Sequence, residues 1–288
     1  MTTTGDLMRR AVVLAGGGVA GIAWELGVLR GIQDADAELA SSLIAADVIV
    51  GTSAGSAVAA QITSGTLLED LYAAQLSQAS SELEVDLDLA ELMTRFATAT
   101  AGATTAQDMR RRIGALALAT ETVSESARRA AIAARLPARA WPDRALLLTA
   151  VDAQTGDPVT FTRETGVDLT DAVAASCAVP GVWPPVTIAG QRYIDGGMRS
   201  ATNADLAAGC DRVLVITPTL AETPPPWGSL DDEIELLKPA EARVIYADAA
   251  ALAAFGTNPL SPATRGPSAR AGRETGRARA AGIAQFWS

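Results

Sequence analysis

The chain contains no histidine, and this absence constrains its chemistry more than any motif. A Ser-His-Asp triad cannot be assembled from it, nor a histidine-ligated zinc site. Lysine is almost as scarce: of 23 basic residues only Lys238 is lysine, and it lies far in sequence from any glycine motif. General-base chemistry near neutral pH therefore falls to aspartate or glutamate. The two cysteines, Cys177 and Cys210, are too few for a disulfide framework in 288 residues. Both sit in apolar surroundings and read as buried thiols, which points to a reducing, cytoplasmic compartment. Aromatic residues make up only 4% of the chain, so the core is expected to be aliphatic and alanine-packed. No uninterrupted apolar run is long enough to cross a bilayer. A formal charge of −10 argues against a dedicated nucleic-acid binder. The basic exception is the tail "ATRGPSARAGRETGRARAAG", with Arg265, Arg270, Arg273, Arg277 and Arg279 against Glu274. It reads as a solvated helix face, with peripheral contact to an anionic lipid surface as the alternative.

What is present is apolar sequence in alternating registers. Hydrophobic residues make up 49% of the 288, ample for a large core, and one domain over 1–288 is the economical reading. The opening "MRRAVVLAGGGVAGIAWELGVL" has the charge order of a signal segment, but three glycines and Glu25 interrupt it. It reads better as strand (10–15), glycine turn (16–21) and helix (22–34). A second strand, "ADVIV" (46–50), feeds a turn and an alanine-rich helix (56–65). This alternation opens an α/β fold with a mostly parallel central sheet and helices on both faces. Residues 66–136 are helical in pattern and are expected to form a cover. Strand patterns return at 145–151, 159–162, 185–195 and 211–218. "AETPPPWGS" (221–229) reads as a loop, and 233–286 as C-terminal helices broken near Pro239.

The turn after the second strand is "VGTSAGS", in which Gly51 and Gly55 flank Ser53 as Gly-x-Ser-x-Gly. This is the pattern of a nucleophile on a sharp strand-to-helix turn. A serine hydroxyl needs a base. The best-placed carboxylate is Asp195 in "YIDGG", a short strand ending on two glycines that allow close approach. Burial would raise its pKa and its basicity. Asp152 is the rival, but it reads as a turn former ahead of Gly156. An acyl-transfer site also needs an oxyanion hole. "GGGVAG" fits, because Gly16, Gly17 and Gly18 precede a helix N-terminus, and Ala54 would add the amide after the nucleophile. The same loop satisfies Gly-x-Gly-x-x-Gly as Gly16, Gly18 and Gly21, the dinucleotide fingerprint. The second strand, however, ends in Gly51-Thr52-Ser53 rather than the acidic residue that fingerprint wants.

"GGGVAG", "GTSAGS", "ASCAVPGVWPPV" and "YIDGG", in this order and spacing, resemble the patatin-like phospholipase family over about residues 10–220. The resemblance implies a three-layer αβα fold and a lipid acyl hydrolase of phospholipase A or lysophospholipase type. It implies Ser53 as nucleophile, Asp195 as its base, Gly16–Gly18 framing the oxyanion hole, and no metal or organic cofactor. One departure is Ala20, where the family's glycine loop commonly carries a basic residue. The alternatives are a nucleotide-binding α/β protein using the Gly16–Gly21 loop and a catalytically silent interaction module of the same fold.

Overall fold

The structure, a computed structural model, describes residues 8–219 and 229–288, so the loop read over 221–229 lies almost wholly outside the described residues. Eight short, Val-, Ile- and Leu-rich segments form one sheet. They are β1 (Arg10–Leu14), β2 (Val48–Gly51), β3 (Ala145–Asp152), β4 (Pro158–Phe161), β5 (Val186–Ile188), β6 (Gln191–Asp195), β7 (Arg212–Thr217) and β8 (Glu241–Tyr246). The order is β5-β6-β3-β2-β1-β7-β8, with β4 paired to β3. β3, β2, β1, β7 and β8 run parallel, and the antiparallel pairings are confined to the β3 side.

The helices are α1 (Gly18–Ala35), α2 (Ala37–Ile44), α3 (Ala54–Ile62), α4 (Leu68–Leu76), α5 (Leu89–Thr100), α6 (Ala106–Ala119), α7 (Glu125–Arg135), α8 (Leu169–Ser176), α9 (Leu230–Leu236), α10 (Ala249–Phe255) and α11 (Arg265–Trp287). Side chains alternate across the sheet as a two-residue period requires. Val12, Leu14, Ile49, Leu148 and Leu214 face α1, α3, α8 and α11. Val13, Val50, Val213 and Val215 face the opposite way, toward a 3₁₀ turn at Ala204–Ala207 and Leu237. At the β3 end, Val151 and Ile194 meet Ile113 of α6. The result is the expected three-layer αβα arrangement. α1 is apolar around most of its circumference because the sheet lies on one side and α11 on the other.

One reading of the sequence needs correction. Glu241–Tyr246, taken as helix, is an edge strand parallel to β7. Its Val244 packs on one face of the sheet and Ile245 on the other, a period of two that the surrounding alanine-rich helical sequence masks. The turn of α2 was also not anticipated; Asp36 caps it by accepting from the Leu39 amide at 2.9 Å. The basic tail forms α11, and much of its charge is engaged. Arg273 and Arg277 pair with Asp34, and Arg265 is buried on the carbonyls of Ala74, Ser77 and Ala79. No helix among the described residues is long and apolar enough to cross a membrane.

Candidate active site

The register of the sheet brings the two key segments level. Gly51 of β2 pairs with Leu148 of β3, and Ala150 of β3 pairs with Asp195 of β6. β4 occupies the other edge of β3, so β2 and β6 follow one another along the same edge, and Ser53, two residues beyond Gly51, comes up beside Asp195. Ser53 Oγ donates to Asp195 Oδ2 at 2.7 Å. Both residues are buried.

The turn that carries Ser53 is strained and clamped. Ser53 sits at φ 51°, ψ −113°, a conformation side-chain-bearing residues rarely adopt. Its flanking glycines are sterically required. A Cβ on Gly51 would meet Ser56 Cα at 2.7 Å, and one on Gly55 would meet the Leu14 carbonyl oxygen at 2.0 Å. The Ser53 amide donates to Ser176 Oγ at 2.9 Å, and its carbonyl accepts from Ser56 Oγ at 2.6 Å and Cys177 Sγ at 3.1 Å. Ser176 and Cys177, at the C-terminal end of α8, thus hold the turn from behind, a role the sequence pattern did not disclose.

Asp195 is held as firmly. Its Oδ1 accepts from the Gly197 amide at 2.7 Å. Gly196 lies so close to β3 that a Cβ there would stand 2.1 Å from Thr149 Oγ1. Burial pushes the Asp195 carboxyl up to about 7, opposed by the hydrogen bonds from Ser53 and Gly197 and by the charge of Arg128. Asn203 ties the two segments together. Its Nδ2 lies 3.0 Å from Thr52 Oγ1 and 2.7 Å from the Ser200 carbonyl oxygen. The rival carboxylate is engaged elsewhere: Asp152 Oδ1 accepts from the amides of Gln154 and Thr155 at 2.8 and 3.0 Å.

The helix-terminal amides divide into committed and uncommitted sets. Gly16, expected to help form the anion cradle, donates its N–H to the Ala201 carbonyl at 2.8 Å. It stands beside Ser53 without a free amide. Ala20 donates to Pro259 and Gly55 to Ala15, both at 2.9 Å. The amides of Gly17, Gly18, Val19 and Ala54 belong to the first turns of α1 and α3, where no intrahelical acceptor exists. Gly18, Val19, Ser53 and Ala54 line one cavity of about 20 Å³ together with Ile22, Arg128, Val179, Trp183 and Leu260. Its volume suffices for about one water molecule. Pro259 and Leu260 pack directly against Gly18, where a Cβ would stand 2.7 Å from Leu260 Cδ2. Larger clefts adjoin it. One of about 450 Å³ shares Ile22 and Arg135 with it, and one of about 320 Å³ shares Trp183. No group of three or more acidic or cysteine side chains that could hold a metal occurs among the described residues.

Arg128 is the cavity residue that sequence reasoning missed. It lies on α7, more than seventy positions from Ser53, in a segment whose pattern reveals only an amphipathic helix. Burial and the neighbouring Arg135 lower its pKa to about 10, so it stays charged at neutral pH.

Two solved structures illustrate what the chain is similar to. VipD from Legionella pneumophila aligns at 12% identity and TM-score 0.38 over 86% of this chain. The type III effector protein ExoU aligns at 16% identity and TM-score 0.41 over 96%. The chain spans about half the length of either, 53% in both cases. No curated protein matches the sequence. The family profile described as patatin-like phospholipase matches residues 12–208. That span runs from β1 through the Ser53 turn and Asp195 to the 3₁₀ turn at Ala204–Ala207, and covers more than half of the chain. The chain belongs to the patatin-like phospholipase family.

Proposed function

We propose that the protein is a lipid acyl hydrolase that cleaves carboxylic esters through a Ser53–Asp195 dyad, of phospholipase A or lysophospholipase type. The observation that carries this reading is the 2.7 Å hydrogen bond between a serine on a strained turn and a fully buried carboxylate, in a chain with no histidine. A carboxylate with a pKa near 7 is matched to accept a proton at neutral pH. Ser53 Oγ attacks the ester carbonyl as its proton passes to Asp195 Oδ2. The oxygen of the tetrahedral intermediate is met by uncommitted amides of the converging α1 and α3 N-termini, Gly17, Gly18, Val19 and Ala54. Collapse expels the alcohol, which takes the proton from Asp195. Water then attacks the acyl-enzyme with Asp195 again as base. Ile22, Val179, Trp183 and Leu260 give the reacting carbonyl an apolar surround, and the adjoining clefts of about 450 and 320 Å³ have the room for an acyl chain that the one-water cavity lacks.

The test is hydrolysis of chromogenic esters from short to long acyl chains by wild type, Ser53→Ala and Asp195→Asn. Each variant is expected to lose activity by about three orders of magnitude. Activity retained by either removes that residue from the mechanism, and a rate that falls with chain length removes the lipid assignment.

A further inference from the structure

A buried guanidinium whose Nε has no acceptor calls for a physical account. Arg128 is 5% exposed and Trp183 beside it 3%. The Arg128 Cζ lies 3.9 Å from the Trp183 ring centroid, so one face of the guanidinium rests on the indole. Its Nε is buried with no acceptor. The nearby carboxylate Glu82 does not serve it, being engaged bidentately by Arg135. The other buried arginines contrast with it: Arg135 has Glu82, and Arg265 has Gln75 and three main-chain carbonyls. Arg135 and Glu82 pair with one another, and Arg128, lining the same cavity as Ser53, Ala54 and Gly18, is left with only the through-space fields of Glu82 and Asp195 and no direct ion pair among the described residues. Such a charge is tolerated where its counter-charge arrives with a ligand. A planar fork with one face stacked presents its N–H edge to a pair of coplanar or tetrahedral anionic oxygens.

We propose, building on the hydrolase reading above, that Arg128 binds an anionic group of the substrate, a phosphodiester or a carboxylate, carried next to the ester that Ser53 attacks. The stack on Trp183 fixes the direction of the fork. The site then selects esters with a charged neighbour over neutral ones of the same acyl length. Arg128 also acts on Asp195 through space, so its loss alters rates on every substrate. The informative quantity is therefore a ratio between matched substrates.

The experiment compares three esters with identical acyl chains: dihexanoylglycerol, its phosphatidylglycerol counterpart, and its hemisuccinate. Wild type is expected to favour at least one charged ester over the neutral one by kcat/KM. Arg128→Gln is expected to reduce that preference by roughly 10- to 100-fold, the scale of a charge-assisted pair in a desolvated site. Arg128→Lys, which keeps the charge but loses the fork, should fall between them. Whichever charged ester loses more identifies the anion. A wild type with no preference overturns the proposal without any variant, as does a preference unchanged to within twofold in Arg128→Gln. Ser53→Ala separates the two readings. If it still hydrolyses all three esters, the dyad is at fault. If it is silent while Arg128→Gln keeps the wild-type preference, only the anion site fails.

Discussion

Replacing Asp195 by asparagine is expected to stabilise the protein while silencing it. Burial takes the Asp195 carboxyl from an ordinary 3.8 to about 7. A carboxyl whose pKa is higher in the folded than in the unfolded state holds its proton more tightly when folded. Its contribution to stability is therefore full below about pH 4 and is lost as pH rises through about 7. A shift of about three units corresponds to about 4 kcal/mol. Asparagine cannot ionise, and it fits both partners. Its Oδ1 can accept from the Gly197 amide, and its Nδ2 can donate to Ser53 Oγ, whose hydroxyl turns from donor to acceptor. Asp195→Asn should therefore exceed wild type by about 4 kcal/mol at pH 8, with the gap closing toward pH 4. Urea melts at pH 8, 6 and 4.5 read the difference directly. A gap that does not change with pH, or an asparagine variant less stable than wild type at pH 8, refutes the claim that this carboxylate is held against its own solvation. The same titration should appear in the wild-type kcat/KM as a rise with pH centred near 7.

Ser53→Gly removes the nucleophile and the cost of a positive φ at once. It should be inactive yet about 1 kcal/mol more stable than Ser53→Ala, which keeps the strained backbone, as judged by denaturant midpoints. Asn203→Ala removes the amide between Thr52 and the Ser200 carbonyl and leaves buried groups unpaired. It should cost about 2–3 kcal/mol of stability and lower kcat more than it changes KM. If its kcat is at the wild-type level, Asn203 does not position the dyad. The segment over the cavity is tied down by Asn258 Nδ2 on the Val85 carbonyl at 2.7 Å and Ser261 Oγ on Glu84 at 2.8 Å. Asn258→Ala combined with Ser261→Ala should raise kcat/KM for long-chain esters several-fold, and an unchanged acyl-length profile would show that substrate enters elsewhere.

Much of the candidate site's arrangement was legible in the sequence because its constraints are local. Gly51, Gly55, Gly196 and Gly197 stand where a Cβ would collide or where an amide must approach a carboxylate, and such positions leave a mark in the residue string. The strands β1, β2, β3 and β7 were legible for a similar reason, since burial on both faces demands unbroken Val, Ile and Leu. What could not be read is what depends on packing at a distance. β8 lies at the sheet edge, with Arg243 and Glu241 among its residues, and its alternation is faint beside alanine-rich helices. Gly16 belongs to a recognisable loop, but the acceptor of its amide, Ala201, is 185 residues away. Arg128 is one of several arginines on an amphipathic helix. Only the fold shows that it turns inward onto Trp183.

These features share a thermodynamic pattern. Ser53 holds a rare backbone conformation, Asp195 beside it is a carboxylate kept from water, and Arg128, in the cavity that Ser53 lines, is a cation whose Nε has no acceptor. Glu25, fully buried in α1 with its carboxyl raised well above the usual range by burial, adds a fourth cost where its Oε1 accepts from the Ala15 amide at the root of the glycine loop. Each is unfavourable alone, and each persists only because the surroundings over-determine it. Ser176, Ser56 and Cys177 grip the serine turn, Gly197 and Asn203 grip the aspartate turn, and Trp183 supports the arginine. Random destabilisation would scatter such costs over the molecule. Their clustering around the Ser53–Asp195 pair, on the edge of β3 where register aligns the two residues, is what the proposed site, with reactivity favoured over stability, would produce.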